Sequence, residues 1–383
     1  MHWFNPNVEG DVVAGLRGER PVRNRMTLAM EAEVEAVMLA GCREGDVWLA
    51  RRVPSAAHVE SLKAAGIRLP EMVEDPGVLR DSFAGFRPWA MSRDALAVVA
   101  AGPPHVRELA ENRVVRDRWF SKEVGVELLE MMGAGERGMV CRTIDELVAA
   151  VEALLVHGGV VVKGAYACAG RDQLWLGADR WQETREVREV VERLLVRHGV
   201  VVVEKRRDRV LDFSVQYEKA GDEVGFVGMT TMRNDARGRF QATMVARELG
   251  GMIPDELEEV FAREEILAVY RDQLPKMIAG LLGGYDGPLG IDGMVYREPG
   301  GRLNWMPVVE VNVRMTMGRV ALDLLDRTGA DSGRFEVMRK RSGGRAGRAG
   351  TGAGTGALEP GCIVLNDPEQ ASEFLVVWSG KLA

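Results

Sequence analysis

The amino-acid sequence predicts a fold of mixed α/β and α+β class, in which an open α/β domain precedes a larger α+β region. Short apolar strands alternate with helical segments over the N-terminal part of the chain. Longer and more regular strand–helix units follow from residue 143. A hairpin and two closing strands, in which polar and apolar residues alternate, then extend to residue 314.

The N-terminal domain is predicted to span residues 1–112 as an open, Rossmann-like α/β sheet. The segments "EAVMLAG" and "GDVWLARRVP" have the apolar runs of sheet elements, and "SAAHVESLKAAG" has the pattern of a helix between them. The segment "RPWAMSRDALAVVAAG" begins with a Pro-Trp turn and continues as an apolar helix.

A first α+β subdomain is predicted for residues 113–200. Its segment "TIDELVAAVEALLVHGG" starts at Thr143 with Glu146 three residues later, which is the pattern of a helix capping box. The buried strand "VVVKGAYACAG" runs into a loop of small residues, and "DQLWLG" is a short strand after it. The segment "WQETREVREVVERLLVRHG" is predicted to be an amphipathic helix.

A second α+β subdomain is predicted for residues 201–338. It contains a buried strand in "VVVVEKR", a hairpin, a long helix from Asp255 to Leu282, and the closing strands "LGIDGMVYRE" and "NWMPVVEVNVR". Residues 339–357 are Gly-rich and are predicted to be a flexible surface linker. Residues 358–383 are predicted to return to the domain as one more strand pair.

Composition narrows the class of protein. A net charge of −7, with 46% hydrophobic and 28% charged residues, is ordinary for a soluble globular protein and argues against a general nucleic-acid binder. No signal-peptide pattern or apolar stretch of transmembrane length is present, so we expect a cytoplasmic protein without a membrane partner. The four cysteines fit no C-x-x-C pattern, and reduced thiols are the simplest interpretation.

Two strand ends have side chains suited to a nucleotide. Lys163 ends an apolar strand and precedes small residues through Gly170, so its ammonium and the backbone N–H groups can surround phosphate oxygens. Glu204 ends the next buried strand, where a carboxylate can hold an adenine amino group, and Asp212 follows within reach of a ribose hydroxyl. A snorkelling lysine and a glutamate paired with a surface arginine are the alternatives for the two strand ends.

The closing strands predict a metal site. In "PVVEVNVRMTMG", Glu310, Asn312 and Arg314 alternate with valines, so their side chains share one face of the strand. Asp292 lies on the preceding strand in "GIDGM". Asp292, Glu310 and Asn312 supply hard oxygen ligands for Mg²⁺, with Mn²⁺ as a second option, and nucleotide phosphates would complete the coordination.

Taken together, these segments resemble the ATP-grasp superfamily over residues 112–325. The strand "EVNVR" is similar to the closing E-x-N-x-R strand of the superfamily, and Asp292 stands where members carry a metal-binding acid. The resemblance implies two α+β subdomains that clamp ATP, preceded by a pre-ATP-grasp domain. It also implies that ATP is bound by Lys122, Lys163, Gly170, Arg171, Glu204, Lys205 and Asp212.

The activity implied by the resemblance is that of an ATP- and Mg²⁺-dependent ligase, which joins a carboxylate to an amine through an acyl phosphate. Lys163 and Arg314 are then the catalytic residues, with Arg314 orienting the carboxylate of an amino acid or peptide. Arg233 and Arg239, in a cluster with Arg237 and Arg247, are candidate substrate contacts. The alternative for this cluster is a solvated hairpin tip of mixed charge.

The sequence departs from the superfamily pattern at several positions. The glycine loop has Ala167, Cys168 and Ala169 where serines and glycines are more usual, and Asp172 introduces an acid beside the expected phosphates. Gly290 stands where many of these ligases have an arginine. A catalytically altered ATP-binding protein, a phosphotransferase and a carboxylase component therefore stay open as alternatives.

Two of the histidines are expected to be structural. His157 and His198 lie at helix C-termini, where a structural role is expected because the helix dipole favours a cation there. The oligomeric state stays open, a homodimer included.

Overall fold

The computed structural model describes residues 1–79, 85–111, 113–168, 170–177, 181, 185–234, 240–340 and 361–381. Within these residues the strands form three sheets, two of four strands and one of eight. The predicted fold class is confirmed, because an open parallel sheet comes first and antiparallel sheets with helices follow. No helix of the described residues is long and apolar enough to cross a membrane.

The N-terminal domain is built on a parallel sheet of order β3–β2–β1–β4. Its strands are β1 (His2–Trp3), β2 (Val47–Leu49), β3 (Glu71–Val73) and β4 (Arg87–Pro88). Its helices are α1 (Val8–Leu16), α2 (Arg25–Glu33), α3 (Ala56–Ala64), α4 (Arg93–Ala100) and α5 (Pro104–Arg107). The Asn5 side chain joins the carboxyl ends of β1 and β4, because it donates to Ala90 O and accepts from Ala90 N, both at 2.9 Å.

One predicted sheet element of this domain is wrong. The segment "EAVMLAG" forms a 3₁₀ helix over Glu35–Ala40 and not a strand. All six of its residues are buried, so its apolar run shows no helical stripe. A short buried run of this kind cannot be assigned to helix or strand from periodicity alone.

The second sheet is small and antiparallel, with order β5–β8–β6–β7. Its strands are β5 (Met139–Cys141), β6 (Val160–Gly164), β7 (Gln173–Leu176) and β8 (Val201–Lys205). The helices α6 (Glu123–Met131), α7 (Ile144–Leu155) and α8 (Arg185–His198) accompany it. The predicted capping box of Thr143 and Glu146 is confirmed at the start of α7.

The third sheet is antiparallel, with order β13–β12–β9–β10–β11–β14–β16–β15. Its strands are β9 (Asp208–Ala220), β10 (Glu223–Asn234), β11 (Phe240–Ala246), β12 (Gly287–Arg297), β13 (Leu303–Asn312), β14 (Ser332–Arg339), β15 (Ile363–Val364) and β16 (Phe374–Lys381). Its helices are α9 (Asp255–Arg263), α10 (Ile266–Ala268), α11 (Leu274–Leu281) and α12 (Met317–Thr328). The predicted hairpin and C-terminal strand pair are confirmed as β9–β10 and β15–β16.

The long helix predicted for Asp255 to Leu282 is interrupted. Glu265 has a left-handed backbone with φ of 47°, which separates α9 from α10, and Val269–Gln273 is π-helical before α11 begins. A left-handed residue cannot continue a right-handed helix.

The buried side chains show which elements pack together. The small sheet has a hydrophobic core of its own, which includes Leu147, Val162 and Val203. The N-terminal domain shares a core with α12 and β16, as in the cluster that contains Trp48 and Trp378. The small sheet and its helices α6, α7 and α8 form a small lobe, in which β8 pairs with β6. The predicted domain limits stay predictions.

A substitution on β12 tests this packing. A Cβ at Gly293 would lie 2.6 Å from the Phe213 ring and closer still to the Tyr270 hydroxyl. We expect Gly293→Ala to lower the free energy of unfolding by about 1–3 kcal/mol through overpacking. Gly225→Ala in the same sheet is the control, because its Cβ would lie 3.8 Å from the nearest backbone oxygen. Equal urea midpoints for the two variants would contradict the packing described for β12.

Candidate active site

A cleft of about 650 Å³ lies where the small sheet faces the third sheet. Lys122 lines it at the start of α6, and Glu204 and Lys205 line it at the end of β8. Met294 of β12 and Met306 of β13 form part of its opposite wall. The cleft therefore combines an apolar surface with a few charged side chains, as small-molecule sites commonly do.

Lys163 and Glu204 meet on one face of the small sheet, across its two central strands. Their strands β6 and β8 are antiparallel neighbours, and Lys163 Nζ lies 2.6 Å from Glu204 Oε2. The next residue, Lys205, is paired with a different acid, because its Nζ lies 3.5 Å from Glu136 Oε1. The structure thus brings together the predicted phosphate lysine and the predicted adenine carboxylate.

Lys122 connects the small lobe to the closing strand. Its Nζ donates to Glu310 Oε1 at 2.6 Å, and its backbone N–H donates to Ala165 O at 2.8 Å in the loop after β6. The Lys122 side chain is only 9% exposed, whereas Glu310 is 30% exposed. A nearly buried lysine is therefore directed at one of the predicted metal ligands.

The register of β12 and β13 places Asp292 directly opposite Glu310. Asn312 Nδ2 donates to Asp292 Oδ2 at 3.1 Å, and Ser214 Oγ donates to Asp292 Oδ1 at 2.7 Å. Burial, together with the charge of Glu310, raises the pKa of Asp292 to about 6. Burial also acts to raise the pKa of Glu310, but Lys122, Lys163 and Arg314 outweigh it and hold that pKa below its ordinary value.

Arg314 is engaged by the N-terminal domain. Its Nε donates to Glu9 Oε1 at 2.7 Å, and its Nη1 donates to Met315 O at 3.2 Å. Glu9 lies in the first turn of α1, and its side chain is 7% exposed while that of Arg314 is 16% exposed. The other carboxylate oxygen of Glu9, Oε2, has no hydrogen-bond partner in the described part of the chain. The Glu9 charge raises the pKa of Arg314 against the effect of burial.

Sequence reasoning missed Glu9. A glutamate in the first turn of a helix is ordinarily a surface residue that stabilises the helix dipole, and nothing in the sequence distinguishes this one. It reaches the site only because α1 starts at the carboxyl edge of the N-terminal sheet.

The unusual acid in the loop after β6, Asp172, is paired with residues at the end of α8. Asp172 has a left-handed backbone with φ of 51°, and its carboxylate lies 3.2 Å from His198 Nε2 and 3.3 Å from Arg197 Nη1. The N–H of Tyr166 donates to His198 Nδ1 at 3.3 Å. Hydrogen bonding to His198 lowers the pKa of Asp172. His198, predicted to be structural, thus ties both ends of the loop together.

Asp212, Arg171 and Arg233 are further predicted site residues that the structure describes. Asp212 Oδ1 is paired with Arg209 at 2.9 Å, and Asn234 Nδ2 donates to its Oδ2 at 2.8 Å. Arg171 Nη2 lies 3.2 Å from Cys168 Sγ, and burial raises the pKa of that thiol, so Cys168 is not set up as a thiolate. Arg233 is exposed on β10.

Ala169, Arg237 and Arg239 lie outside the described residues, as do residues 341–357 of the predicted linker. The roles of the predicted residues in ATP, metal and substrate binding stay predictions.

The donor set fits a divalent cation. Two carboxylates face each other on neighbouring strands, and burial together with the charge of Glu310 raises the pKa of Asp292. Because Asn312 Nδ2 points to Asp292, its carbonyl oxygen stays available as a third ligand. No group of three His, Cys, Asp or Glu side chains suited to a metal occurs in the described part of the chain. A site of two acids and one amide therefore needs oxygen ligands from a bound molecule.

Comparison with known proteins gives a structural likeness only. Neither a family model nor a curated protein matches this sequence. Among solved structures, the chain resembles the biotin carboxylase domain of Hydrogenobacter thermophilus 2-oxoglutarate carboxylase, with 13% identity and a TM-score of 0.41. The match covers 69% of this chain and 62% of that domain, which is less than two thirds of its length.

Two further solved structures are similar to the chain. N5-carboxyaminoimidazole synthetase of Staphylococcus aureus, complexed with ADP, is 12% identical, with 88% and 82% of the two chains covered and a TM-score of 0.43. An L-amino acid ligase of Bacillus licheniformis is 11% identical, with 78% and 76% covered and a TM-score of 0.42. All three are ATP-grasp enzymes, the superfamily that the sequence motifs resemble. Because identity and TM-score are this low, the substrates of these enzymes do not indicate the substrate of this chain.

Because the pKa of Asp292 is raised, we expect the free energy of unfolding to depend on pH. The native carboxyl binds its proton more tightly than the unfolded chain does, so the native state loses stability as pH rises from about 4 to about 6. Asp292→Asn cannot ionise and should therefore gain stability relative to the unmodified protein over this range, by about 2–3 kcal/mol above pH 6. Urea unfolding at pH 4 and pH 8, without divalent cations, measures the difference. A difference that does not change with pH would contradict the prediction.

Proposed function

We propose that this chain is an ATP-grasp ligase, which uses ATP and Mg²⁺ to activate a carboxylate as an acyl phosphate and joins it to an amine. One observation carries the proposal: Lys122, Lys163 and Arg314 all lie close enough to Glu310 to lower its pKa. Three cations from different parts of the chain thus converge on a carboxylate that stands opposite Asp292. Such a cluster suits a polyphosphate with its metal ion.

The lysines would hold the phosphates of ATP. Each lysine is paired with an acid, Lys122 with Glu310 and Lys163 with Glu204. On nucleotide binding, Asp292, Glu310 and Asn312 would hold Mg²⁺, and the lysines would be released to phosphate oxygens. Bound there, Mg²⁺ would neutralise phosphate charge that otherwise repels an attacking carboxylate. The adenine would occupy the apolar part of the cleft, between Met294 and Glu204.

The departures from the superfamily pattern do not oppose this proposal. Asp172 turns its charge to His198 and Arg197, so it does not present an uncompensated acid to a phosphate. Backbone N–H groups can bind phosphate whatever the small side chains of the loop are.

The acceptor side suits a zwitterion, because the buried pair of Arg314 and Glu9 presents one cation and one anion. Arg314 would orient the reacting carboxylate with paired hydrogen bonds. The carboxylate of Glu9 would hold an ammonium group, since its Oε2 has no partner among the described residues. These charges favour an amino acid or a short peptide as substrate, with Arg233 and Arg239 as further contacts for a carboxylate.

The direct test measures ADP formation by the purified protein with ATP, Mg²⁺ and pooled amino acids. Turnover that requires both a carboxylate and an amine supports ligation, whereas ATP binding without turnover supports a non-catalytic ATP-binding protein. Glu310→Gln should lower kcat by about 10²-fold or more, because it removes a charged ligand of the Mg²⁺ ion that would neutralise the phosphates. Glu223→Gln, at an exposed strand end, is the matched control and should keep full activity. Full activity in Glu310→Gln would refute the metal assignment.

A second variant tests the acceptor side. Arg314→Lys keeps the charge but loses the planar fork, so we expect the KM of the carboxylate substrate to rise about tenfold or more. The KM of ATP should stay unchanged. An unchanged KM for both substrates would exclude a role of Arg314 in binding the carboxylate substrate. The double variant Arg233→Glu and Arg239→Glu tests the arginine cluster in the same assay, and an unchanged carboxylate KM would exclude that cluster.

A further inference from the structure

A chain of buried hydrogen bonds connects the start of α12 to Asp292. Thr316 Oγ1 donates to Gln216 Oε1 at 2.6 Å, Gln216 Nε2 donates to Ser214 Oγ at 2.7 Å, and Ser214 Oγ donates to Asp292 Oδ1 at 2.7 Å. Ser214 and Gln216 are 2% and 1% exposed, and Thr316 is buried as well. None of the three linking residues belongs to the nucleotide or metal residues named above.

The helix start fixes the direction of this chain. Thr316 is the N-cap of α12, and its Oγ1 accepts the backbone N–H of Arg319 at 3.2 Å. Its single proton is then left for Gln216 Oε1, so the amide nitrogen of Gln216 must face Ser214. Ser214 accepts that bond and has its own proton left for Asp292. If the amide were reversed, Ser214 would donate to Gln216, and Asp292 Oδ1 would lose its donor.

Two glycines provide the space for the Gln216 amide. A Cβ at Gly318 would lie 2.7 Å from Gln216 Nε2, and a Cβ at Gly290 would lie 3.0 Å from Gln216 Oε1 and 2.8 Å from Thr316 Cγ2. Both distances to the amide are shorter than ordinary carbon contacts. Gly290 is also the position where the sequence lacks the arginine that is common in the superfamily, and in this chain the Gln216–Thr316 contact leaves no room for a side chain there.

We infer that Thr316, Gln216 and Ser214 are positioning residues for the metal site. Together with Asn312, which donates to Oδ2, they fix the rotation of the Asp292 carboxylate and supply a donor to each of its oxygens. The metal-binding face is thereby preformed, and its geometry is set by the N-cap of α12. This inference rests on the proposed metal site, and hydrogen-bond partners of metal ligands commonly contribute 10–100-fold to metal affinity.

The test measures direct binding of Mn²⁺ to the 383-residue chain in the presence of a non-hydrolysable ATP analogue. The electron paramagnetic resonance signal of free Mn²⁺ reports how much of the ion is bound. Thr316→Val removes the hydroxyl and nearly keeps the shape, so the Mn²⁺ dissociation constant should rise about tenfold or more. Thr316→Ser restores the hydroxyl and should bind as the unmodified protein does. Ser214→Ala removes the last donor and should weaken binding by at least as much.

Thr143→Val separates positioning from helix capping. Thr143 is the N-cap of α7 in the small lobe and accepts the N–H of Glu146 at 3.2 Å, so its loss should lower Tm much as Thr316→Val does. Mn²⁺ affinity should stay unchanged in Thr143→Val.

The outcomes distinguish this inference from the proposed function. Failure of the unmodified protein to bind Mn²⁺ with the analogue would refute the proposed metal site and the inference with it. Normal binding in the unmodified protein, in Thr316→Val and in Ser214→Ala would overturn the positioning chain alone. If Thr316→Val does not fold, Ser214→Ala decides, because Ser214 lies within a strand and caps no helix.

Discussion

The site depends on the antiparallel pairing of β12 with β13, which sets Asp292 opposite Glu310. Two acids in cross-strand register repel each other, and like charges in this arrangement destabilise a sheet. Lys122 and Lys163 offset the repulsion at Glu310, while Asp292 retains a raised pKa because it is buried and lies opposite the charge of Glu310. The native fold therefore contains an electrostatically unfavourable pair of carboxylates, and a bound divalent cation would reduce the repulsion between them.

The two flanking domains each contribute charged side chains near this strand pair. The small lobe contributes Lys122, which is bonded to Glu310, and Lys163, which is paired with Glu204 in the small lobe itself. The N-terminal domain contributes Glu9, which engages Arg314 just beyond the end of β13. The nucleotide side and the acceptor side of the proposed reaction are therefore built by different domains, with the E-x-N-x-R segment between them.

The unusual residues of the chain have local physical explanations. Asp172 is compensated by His198 and Arg197, so the loop after β6 can tolerate an acid. Gly290 is required because Gln216 and Thr316 occupy the space that a side chain would need. A departure from a family pattern can therefore reflect a substitution in the supporting hydrogen bonds as well as a loss of function.

The sequence by itself determined the fold class, most strands of the third sheet and the polar face of Glu310 and Asn312, because strand alternation is a local property. The sequence also indicated Lys122, Lys163 and Glu204 as separate candidates for ATP binding, without showing which of them lie next to each other. Only the tertiary structure decided that "EAVMLAG" is a 3₁₀ helix, since a run buried on all sides has no periodicity. Only the tertiary structure brought Glu9 to Arg314 across 305 residues and Thr316 to Gln216 across 100, because contacts of such separation depend on domain packing and leave no local pattern.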